Sequence, residues 1–324
     1  MGVREFVEEN FLHFNAGELA KTARSLTTFV DSGGALMVTL AGAMSTAEIG
    51  RSLAPAIRAG KIAAITCTGA NLEEDLFNLV AHSEYGEIED WRSLSAEQES
   101  QLENRITNRT LPEGAAIRKV EAPLVKLWSN GEPKLPHEYL YELILSGALD
   151  WDADPENSWL LAAAQSNLPL FVPGWEDSTL GNIFAAHVLS GEISVEQILS
   201  GTHYMTCLAS WYRNVCGDGG SSGSGGGSSD PGVGAGLLQV GGGIAGDFPI
   251  CVVPMLRQDL GESVPLWSWF AQISESRPSY GGYSGAPPNE KISWEKLGVE
   301  TPRFVIESDA TIVLPLLLGY LLNE

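Results

Sequence analysis

The sequence predicts an α/β fold, Rossmann-like, in which a mainly parallel sheet is flanked by helices within a single large domain. Two short apolar runs, over residues 36–40 and 62–66, are typical of buried strands. A helical pattern over residues 47–59 lies between them, which predicts a βαβ unit with a right-handed crossover. A chain of 324 residues with 44% hydrophobic content can bury the core that such a domain needs.

Other stretches extend this prediction along the chain. Residues 5–30 have a helical pattern, with Asn15 as candidate N-cap and Glu18 three residues later. Residues 87–135 are polar and predict exposed helices and loops outside the core. Residues 248–256 are ambiguous, because β-branched residues favour a strand whereas Pro254 disfavours the interior of either element. Further buried strands are predicted over residues 168–172, 237–240, 267–273 and 304–306.

A Gly/Ser-rich segment, residues 217–230, has the composition of a flexible linker. No change of domain follows it, so it predicts a loop within one domain that spans residues 1–324. A segment foreign to the natural chain would have the same composition.

The charge balance restricts the partners. Lys and Arg number 19 against 41 Asp and Glu, a net charge of −22, which repels nucleic-acid phosphates and attracts cations such as polyamines. Solubility alone would also explain this acidity, and it does so more often. We therefore expect no nucleic-acid partner.

The sequence also favours a cytoplasmic, membrane-free protein. The N-terminal residues lack the basic and apolar regions of a signal peptide, and the longest apolar stretch, residues 310–322, is too short to cross a bilayer. No CxxC spacing predicts a zinc site or a disulfide framework, and the five histidines show no metal-binding spacing. The cysteines are Cys67, Cys207, Cys216 and Cys251.

Two glycine-containing turns follow predicted strands. In the first, Thr68 and Gly69 precede an acidic helix start, where backbone could lie against a dinucleotide and Glu73 or Glu74 could bind ribose hydroxyls. Such carboxylates more often only favour the helix dipole. In the second, residues 241–243 are three glycines, which permit close approach of a ligand or simply form a tight connection.

A third segment, residues 279–296, contains several glycines and prolines and carries Glu290, Trp294 and Lys296. Carboxylates and aromatic faces bind cationic amines, and a desolvated lysine can attack an imine carbon. Considered alone, Lys296 would more often be a surface lysine.

Together these segments resemble the deoxyhypusine synthase family, from about residue 11 to the C-terminus. The resemblance implies a Rossmann-like core, a homotetramer, and NAD and amine pockets at a dimer interface. It also implies an aminobutyl transferase in which NAD accepts hydride from spermidine, a lysine captures the resulting imine, and an acceptor amine receives the group. The likeness is strongest in TGANLEEDLFNLV, GWEDSTLGN, QVGGGIAGD, SGAPPNEKISWEKL and ESDATIVLPLL.

Site residues follow from the resemblance by position. Lys296 matches the lysine of the family's Ser-Trp-Gly-Lys segment, with Glu295 in place of the glycine, while Glu290 and Trp294 look like amine-pocket residues. Ser45 and Thr46 match a serine-containing NAD turn. The other implied NAD contacts are Thr68, Gly69, Glu73, Glu74, Asp177, Ser284 and Asp309.

Three departures concern the substrate. Asp247 stands where the family has a catalytic histidine, and Asn182 and Tyr283 stand where it has amine-binding aspartates. Asp247 could serve as a base or bind an ammonium group. We therefore expect transfer between small amines, as in homospermidine synthases derived from this family. The alternatives are true deoxyhypusine synthase acting on translation initiation factor 5A, a non-catalytic NAD-binding homologue, and a plain NAD dehydrogenase.

Overall fold

The computed structural model describes residues 1–217, 233–278 and 281–323, so the predicted Gly/Ser loop lies outside the described residues except for Gly217. Its strands are β1 Ala35–Leu40, β2 Ala64–Cys67, β3 Gly86–Glu87, β4 Arg105–Ile106, β5 Arg109–Thr110, β6 Leu170–Phe171, β7 Ala235–Val240, β8 Trp269–Ile273 and β9 Arg303–Ile306. Its α-helices are α1 Val3–Asn10, α2 Phe14–Asp31, α3 Gly50–Arg58, α4 Gly69–Ala81, α5 Ala96–Glu99, α6 Lys119–Asn130, α7 Pro136–Leu145, α8 Trp159–Gln165, α9 Thr179–Leu189, α10 Gly201–Cys216, α11 Gly243–Ile250, α12 Val252–Pro254, α13 Glu290–Ser293 and α14 Ala310–Leu322.

The main sheet has six parallel strands in the order β6-β2-β1-β7-β8-β9. The chain builds outward from β1 in one direction through β2 and β6, then starts again on the other side of β1 with β7. This reversal is the Rossmann arrangement, and it opens a crevice at the carboxyl ends of β1 and β7, where such sheets bind ligands. The predicted fold class is confirmed, and a strand is present at each predicted position, although β9 is buried only at Ile306.

Helices cover the sheet, which explains why its strands are continuous apolar runs. Every residue of β7 and β8 is buried, as both faces of a parallel sheet must be when helices flank it. On one side α14 packs against α1, α2 and α3. The apolar C-terminal stretch is therefore a core helix. Within the part of the chain that the structure describes, no helix is long and apolar enough to span a membrane.

The N-terminal helix prediction is wrong in two details. The pattern over residues 5–30 forms two helices, because the chain is extended at His13 and has a positive φ of 52° at Phe14. Asn15 is not the N-cap; it lies inside the first turn of α2. Its side chain instead hydrogen-bonds both backbone groups of Glu307, accepting from the amide at 2.9 Å, and so ties α2 to the chain beyond β9.

Two other predictions change. Residues 87–135 do not lie wholly outside the core, since α6 buries Val120, Leu124 and Trp128 on one face. The ambiguous residues 248–256 are helical. They divide into the end of α11, then α12, then the start of a π-helical turn, Met255–Asp259. Pro254 has no N–H for the carbonyl of Ile250, which accounts for the break between the helices.

Candidate active site

Lys296 lies in a cleft of about 600 Å³ that we call the lysine cleft. Its walls come from α11 after β7 and from the 281–296 segment after β8, so it lies on the carboxyl side of the sheet. The backbone of Lys296 is fixed, because its N–H donates to the Lys291 carbonyl and its carbonyl accepts from Trp267. Its polar, aromatic and titratable lining residues include Asp247, Cys251, Asp259, Tyr283, Glu290, Lys291, Trp294 and Lys296.

The Lys296 side chain is held as a buried cation. The residue is only 8% exposed, and Nζ donates to Asp247 Oδ1 at 3.1 Å. Nζ also lies 5.7 Å from the ring centres of both Tyr283 and Trp294, within cation–π range. Trp294 is 60% exposed and stands at the mouth of the cleft. The structure thus brings together in one cleft five residues that the sequence predicted for the site: Asp247, Tyr283, Glu290, Trp294 and Lys296.

Lys291 is a second buried lysine in this cleft, and the sequence analysis did not find it. It is 3% exposed, and its Nζ has no hydrogen-bond partner among the residues that the structure describes. The nitrogen lies 4.8 Å from the ring centre of Tyr283 and 5.1 Å from that of Phe270. Burial, with a further contribution from the charge of Lys296, lowers the pKa of Lys291 to about 8. An isolated lysine in a polar loop gives no sequence signal of such burial.

A separate cleft of about 750 Å³, the carboxylate cleft, lies between α4 and α9. It contains four predicted residues, Glu73, Glu74, Asp177 and Asn182, together with Arg105 and Arg118 among others. Asn182 was predicted beside the amine, but here its side chain donates to the carbonyls of Glu176 and Ser178. No described residue lines both clefts of one chain.

Glu73 joins the two helices that form the carboxylate cleft. Its carboxylate accepts the backbone N–H groups of Thr179 at 2.8 Å and Leu180 at 2.7 Å, in the first turn of α9. The carboxylate therefore interacts with the dipole of a neighbouring helix rather than its own. Burial raises the pKa of Glu73 to about 7, although these two N–H bonds oppose the rise.

The next two residues of α4 are also buried acids. Glu74 accepts a hydrogen bond from the Thr46 hydroxyl, and Asp75 accepts one from Ser158 Oγ at 2.5 Å. Burial raises the pKa of Glu74 to about 7 and that of Asp75 to about 6. The folded chain therefore keeps protons on this helix at a pH where the unfolded chain has released them.

We expect the free energy of unfolding to fall as the pH rises from about 4.5 to about 7, because the folded state binds more of these protons than the unfolded state. Glu74→Gln removes one such group while its amide oxygen can still accept from Thr46. The variant should match the wild type near pH 4.5 and be more stable by roughly 2 kcal/mol at pH 8. Urea unfolding across this range measures the difference. The exposed-site control Glu89→Gln should follow the wild type, and a Glu74→Gln curve parallel to it would contradict the expectation.

The other predicted NAD residues line neither cleft. Ser45 is buried, and its hydroxyl donates to Asn71 and accepts from Trp159 Nε1 at 3.0 Å. Thr46 bonds Glu74 as described. Thr68 caps α4, and Asp309 caps α14 through the backbone of Thr311. Contact of these residues with NAD stays a prediction.

Two glycines permit close packing of the backbone in this region. A Cβ on Gly69 would lie 2.6 Å from Ser178 Cβ, so Gly69 lets the start of α4 approach the loop before α9. At the switch point of the sheet, a Cβ on Gly242 would lie 2.1 Å from Ser284 Oγ, which accepts from the Gly243 amide at 3.0 Å. Ser284 thus packs against the triple glycine, which is open on its other side at Gly243.

Over the described ranges, no cluster of three or more His, Cys, Asp or Glu side chains could hold a metal ion. The described cysteines are all free thiols. His137 is buried against Tyr204, and burial lowers the pKa of His137 to about 3. The described lining of the lysine cleft therefore contains acids, amines, a thiol and aromatic rings, but no histidine.

Comparison with known proteins decides the family. The family model described as deoxyhypusine synthase matches residues 8–209 and 232–321. The chain belongs to the deoxyhypusine synthase family.

Relatives in this family share about a quarter of the sequence. The "Deoxyhypusine synthase-like protein" of Cyanothece sp. is 28% identical over 337 residues, covering 100% of this chain and 80% of its own. The "Probable deoxyhypusine synthase 1" of Methanosarcina mazei is 25% identical, covering 98% and 90%. A crystal structure of a putative deoxyhypusine synthase from Entamoeba histolytica has a TM-score of 0.56 at 10% identity, covering 99% of this chain and 92% of its own, which supports the fold.

Glu295 stands where the resemblance places the glycine of a Ser-Trp-Gly-Lys segment, and its backbone conformation is strained. Its φ is 54°, in the left-handed region that glycine adopts readily and a glutamate rarely does. The Glu295 carboxylate pairs with Arg257 at 3.0 Å, which helps to hold this conformation. The turn that presents Lys296 therefore has a backbone conformation that a glycine would adopt with less strain.

Proposed function

We propose that this protein is an NAD-dependent transferase that moves an aminobutyl-type group from a polyamine or diamine donor to a small amine acceptor, through an imine on Lys296. The placement of the Lys296 amine carries the proposal. It is buried, held by one carboxylate and two aromatic rings, and faces a cleft large enough for a short amine.

Each side chain of the lysine cleft has a task in this reaction. Tyr283 and Trp294 present aromatic faces to the donor's cationic amine, and Glu290 adds a carboxylate. Asp247 holds the Lys296 nitrogen in one position until an imine carbon arrives. A proton must leave the Lys296 ammonium before attack, so the cleft also needs a proton acceptor.

The carboxylate cleft fits the predicted NAD. Asp177 and Glu74 can accept hydrogen bonds from ribose hydroxyls. Arg105 and Arg118 carry charge suited to phosphates, which would replace the acidic side chains that these arginines pair with here. When bound, NAD would accept hydride from the donor and return it to the product. The volume of about 750 Å³ suits a large ligand.

A homo-oligomer would bring the two clefts together. NAD must reach the amine to exchange hydride, yet within a chain the described residues of one cleft are distinct from those of the other. Apposition of two chains by a two-fold axis would place the lysine cleft of one against the carboxylate cleft of its partner. We propose the tetramer that is usual in this family.

The small-amine reading is favoured by the cleft's charge. Tyr283 and Asn182 bring no carboxylate where the family has aspartates, so fewer anions are available to bind both ends of a polyamine. A second candidate is deoxyhypusine synthase acting on translation initiation factor 5A. The exposed Trp294 favours it, because a mouth open to solvent can admit a lysine side chain from a protein.

Borohydride trapping tests the proposed function. The wild type and Lys296→Ala are incubated with NAD and a panel of diamines, polyamines and agmatine, then reduced and analysed by intact mass and peptide mapping. We expect an amine-dependent adduct on Lys296 that is absent from the variant. The exposed-lysine control Lys126→Ala should form the adduct as the wild type does.

The remaining arms separate the candidates. Transfer to factor 5A would establish the second candidate. If no amine forms an adduct although NAD binding is measured, the transferase proposal is wrong and the protein is a non-catalytic NAD-binding homologue. Steady accumulation of NADH would instead indicate a dehydrogenase, since a transferase that returns its hydride accumulates little.

A further inference from the structure

We propose that Lys291 is the proton-transfer group of the lysine cleft, which takes a proton from the Lys296 ammonium before attack and returns it to the amine that leaves. This inference rests on the proposed function and assigns the proton-transfer step to Lys291, whereas Asp247, which binds the Lys296 ammonium, is the alternative acceptor. It places a second lysine in the site, with a role distinct from that of the nucleophile.

The geometry of Lys291 is unusual for a lysine. Within the described ranges its ammonium group has no carboxylate or carbonyl acceptor, although the residue is almost fully buried. Its neighbours are the faces of Tyr283 and Phe270. Burial of a cation without hydrogen bonds lowers its pKa, so near pH 8 part of the Lys291 population is the neutral amine that accepts protons.

The charges of the cleft explain which lysine loses its proton. Asp247 is hydrogen-bonded to Lys296, so this carboxylate stabilises the Lys296 ammonium group, and no acid among the described residues contacts the Lys291 nitrogen. Glu290 is exposed, and its negative charge, like that of Asp247, raises the pKa of Lys291 without a hydrogen bond to it. Cys251, Tyr283 and Asp259 also line the cleft. Burial raises the pKa of Cys251 and of Tyr283, which favours their neutral forms.

The two amines are near the same ring. Both nitrogens lie within about 6 Å of the centre of the Tyr283 ring, the usual range of a cation–π contact. The positive charge of Lys296 lowers the pKa of Lys291, so the two groups are electrostatically coupled. In the proposed step the proton passes between the two amines through water in the cleft.

The proton balance of the step is closed. Lys291 amine takes one proton from the Lys296 ammonium, and the free Lys296 amine forms a C–N bond to the imine carbon of the donor. The donor's own C–N bond then breaks. The departing nitrogen gains two protons, one returned by Lys291 and one from the Lys296 nitrogen, and Lys296 is left as the iminium. No oxidant or reductant is consumed.

A test that needs neither NAD nor a natural donor uses butanal, with which Lys296 forms an imine and releases water. Cyanoborohydride traps this imine, and peptide mapping over time gives the rate at Lys296 from pH 6 to 10. In the wild type we expect the rate to rise with a midpoint near pH 8. In Lys291→Met we expect a fall of about 10²-fold or more at pH 7.5.

Two further variants separate proton transfer from a mere positive charge. Lys291→Arg keeps the charge but cannot accept a proton, so it should be as slow as Lys291→Met. Lys291→His restores an acceptor and should recover part of the rate, with a midpoint at lower pH. Trimethylamine, which accepts protons but forms no imine, should accelerate Lys291→Met. The control Lys126→Met should react as the wild type does.

Several outcomes would overturn the inference. They are an unchanged rate in Lys291→Met, a wild-type rate in Lys291→Arg, or an adduct on Lys291 in place of Lys296. Failure of the proposed function is distinguishable, because it would show as normal butanal labelling of Lys296 without transfer from any natural amine. Circular dichroism of each variant confirms that it is folded.

Discussion

Two inactive variants, Lys296→Ala and Asp177→Ala, should together recover about a quarter of the wild-type activity when co-expressed in equal amounts. The reason is the separation of the two clefts. If each site joins the lysine cleft of one chain to the carboxylate cleft of another, half of the chains carry an intact version of each cleft. One site in four then has both. Transfer of a labelled amine by the unfractionated mixture of oligomers measures the recovery.

A control experiment tests whether each site is shared between two chains. A chain carrying both substitutions, co-expressed with an equal amount of wild type, should retain a quarter of the activity if sites are shared between chains and half if each chain works alone. If the control shows that sites are shared between chains, the mixture of Lys296→Ala and Asp177→Ala must recover activity. Absence of that recovery would contradict the division of the site between the two clefts. Asp177 is suited to this use because it is exposed, so its loss should leave the fold intact.

The strands of this fold could be predicted because a strand that is buried on both faces is a continuous run of apolar residues. Residues 36–40 and 237–240 are apolar runs, and they form the two central strands. Helix boundaries could not be predicted in the same way. Asn15 has the residue type of an N-cap, but its side chain is committed to the backbone of Glu307, far away in sequence.

The candidate site was predictable where it repeats a family motif. Lys296, Trp294 and Glu290 share one segment, and the structure places them in one cleft. Asn182 was grouped with them, yet it lines the carboxylate cleft of its own chain. Position in a motif does not say which chain completes a site, so a pocket shared between chains cannot be divided from sequence alone.

Lys291 was missed for a physical reason. Its burial depends on Phe270 in β8 and Tyr283 in the following loop, which approach it only in the folded chain. A sequence pattern for burial requires repeated apolar positions, and α13 is too short to show one. A buried charge without a partner can be recognised only in the folded structure. Such a charge lowers the stability of the protein and is typical of a functional site.

Lys291→Met should therefore stabilise the protein while it slows imine formation. Below about pH 8 Lys291 is protonated in both the folded and the unfolded state, and the folded state holds that charge without a partner. Methionine has a similar length and needs no hydrogen bond, so the free energy of unfolding at pH 7 should rise by roughly 2 kcal/mol. Urea unfolding measures this gain, and the exposed-site control Lys126→Met should show little change.

The pH dependence of this gain identifies its cause. The pKa of Lys291 is about 8 in the folded state against 10.5 ordinarily, so the wild type recovers stability as the pH rises between these values. The advantage of Lys291→Met should accordingly shrink at pH 9.5 and vanish above 10.5. A gain independent of pH would mean better packing alone. A loss of stability would show that Lys291 has a partner supporting the fold, and with it the reason for assigning this amine to proton transfer would be gone.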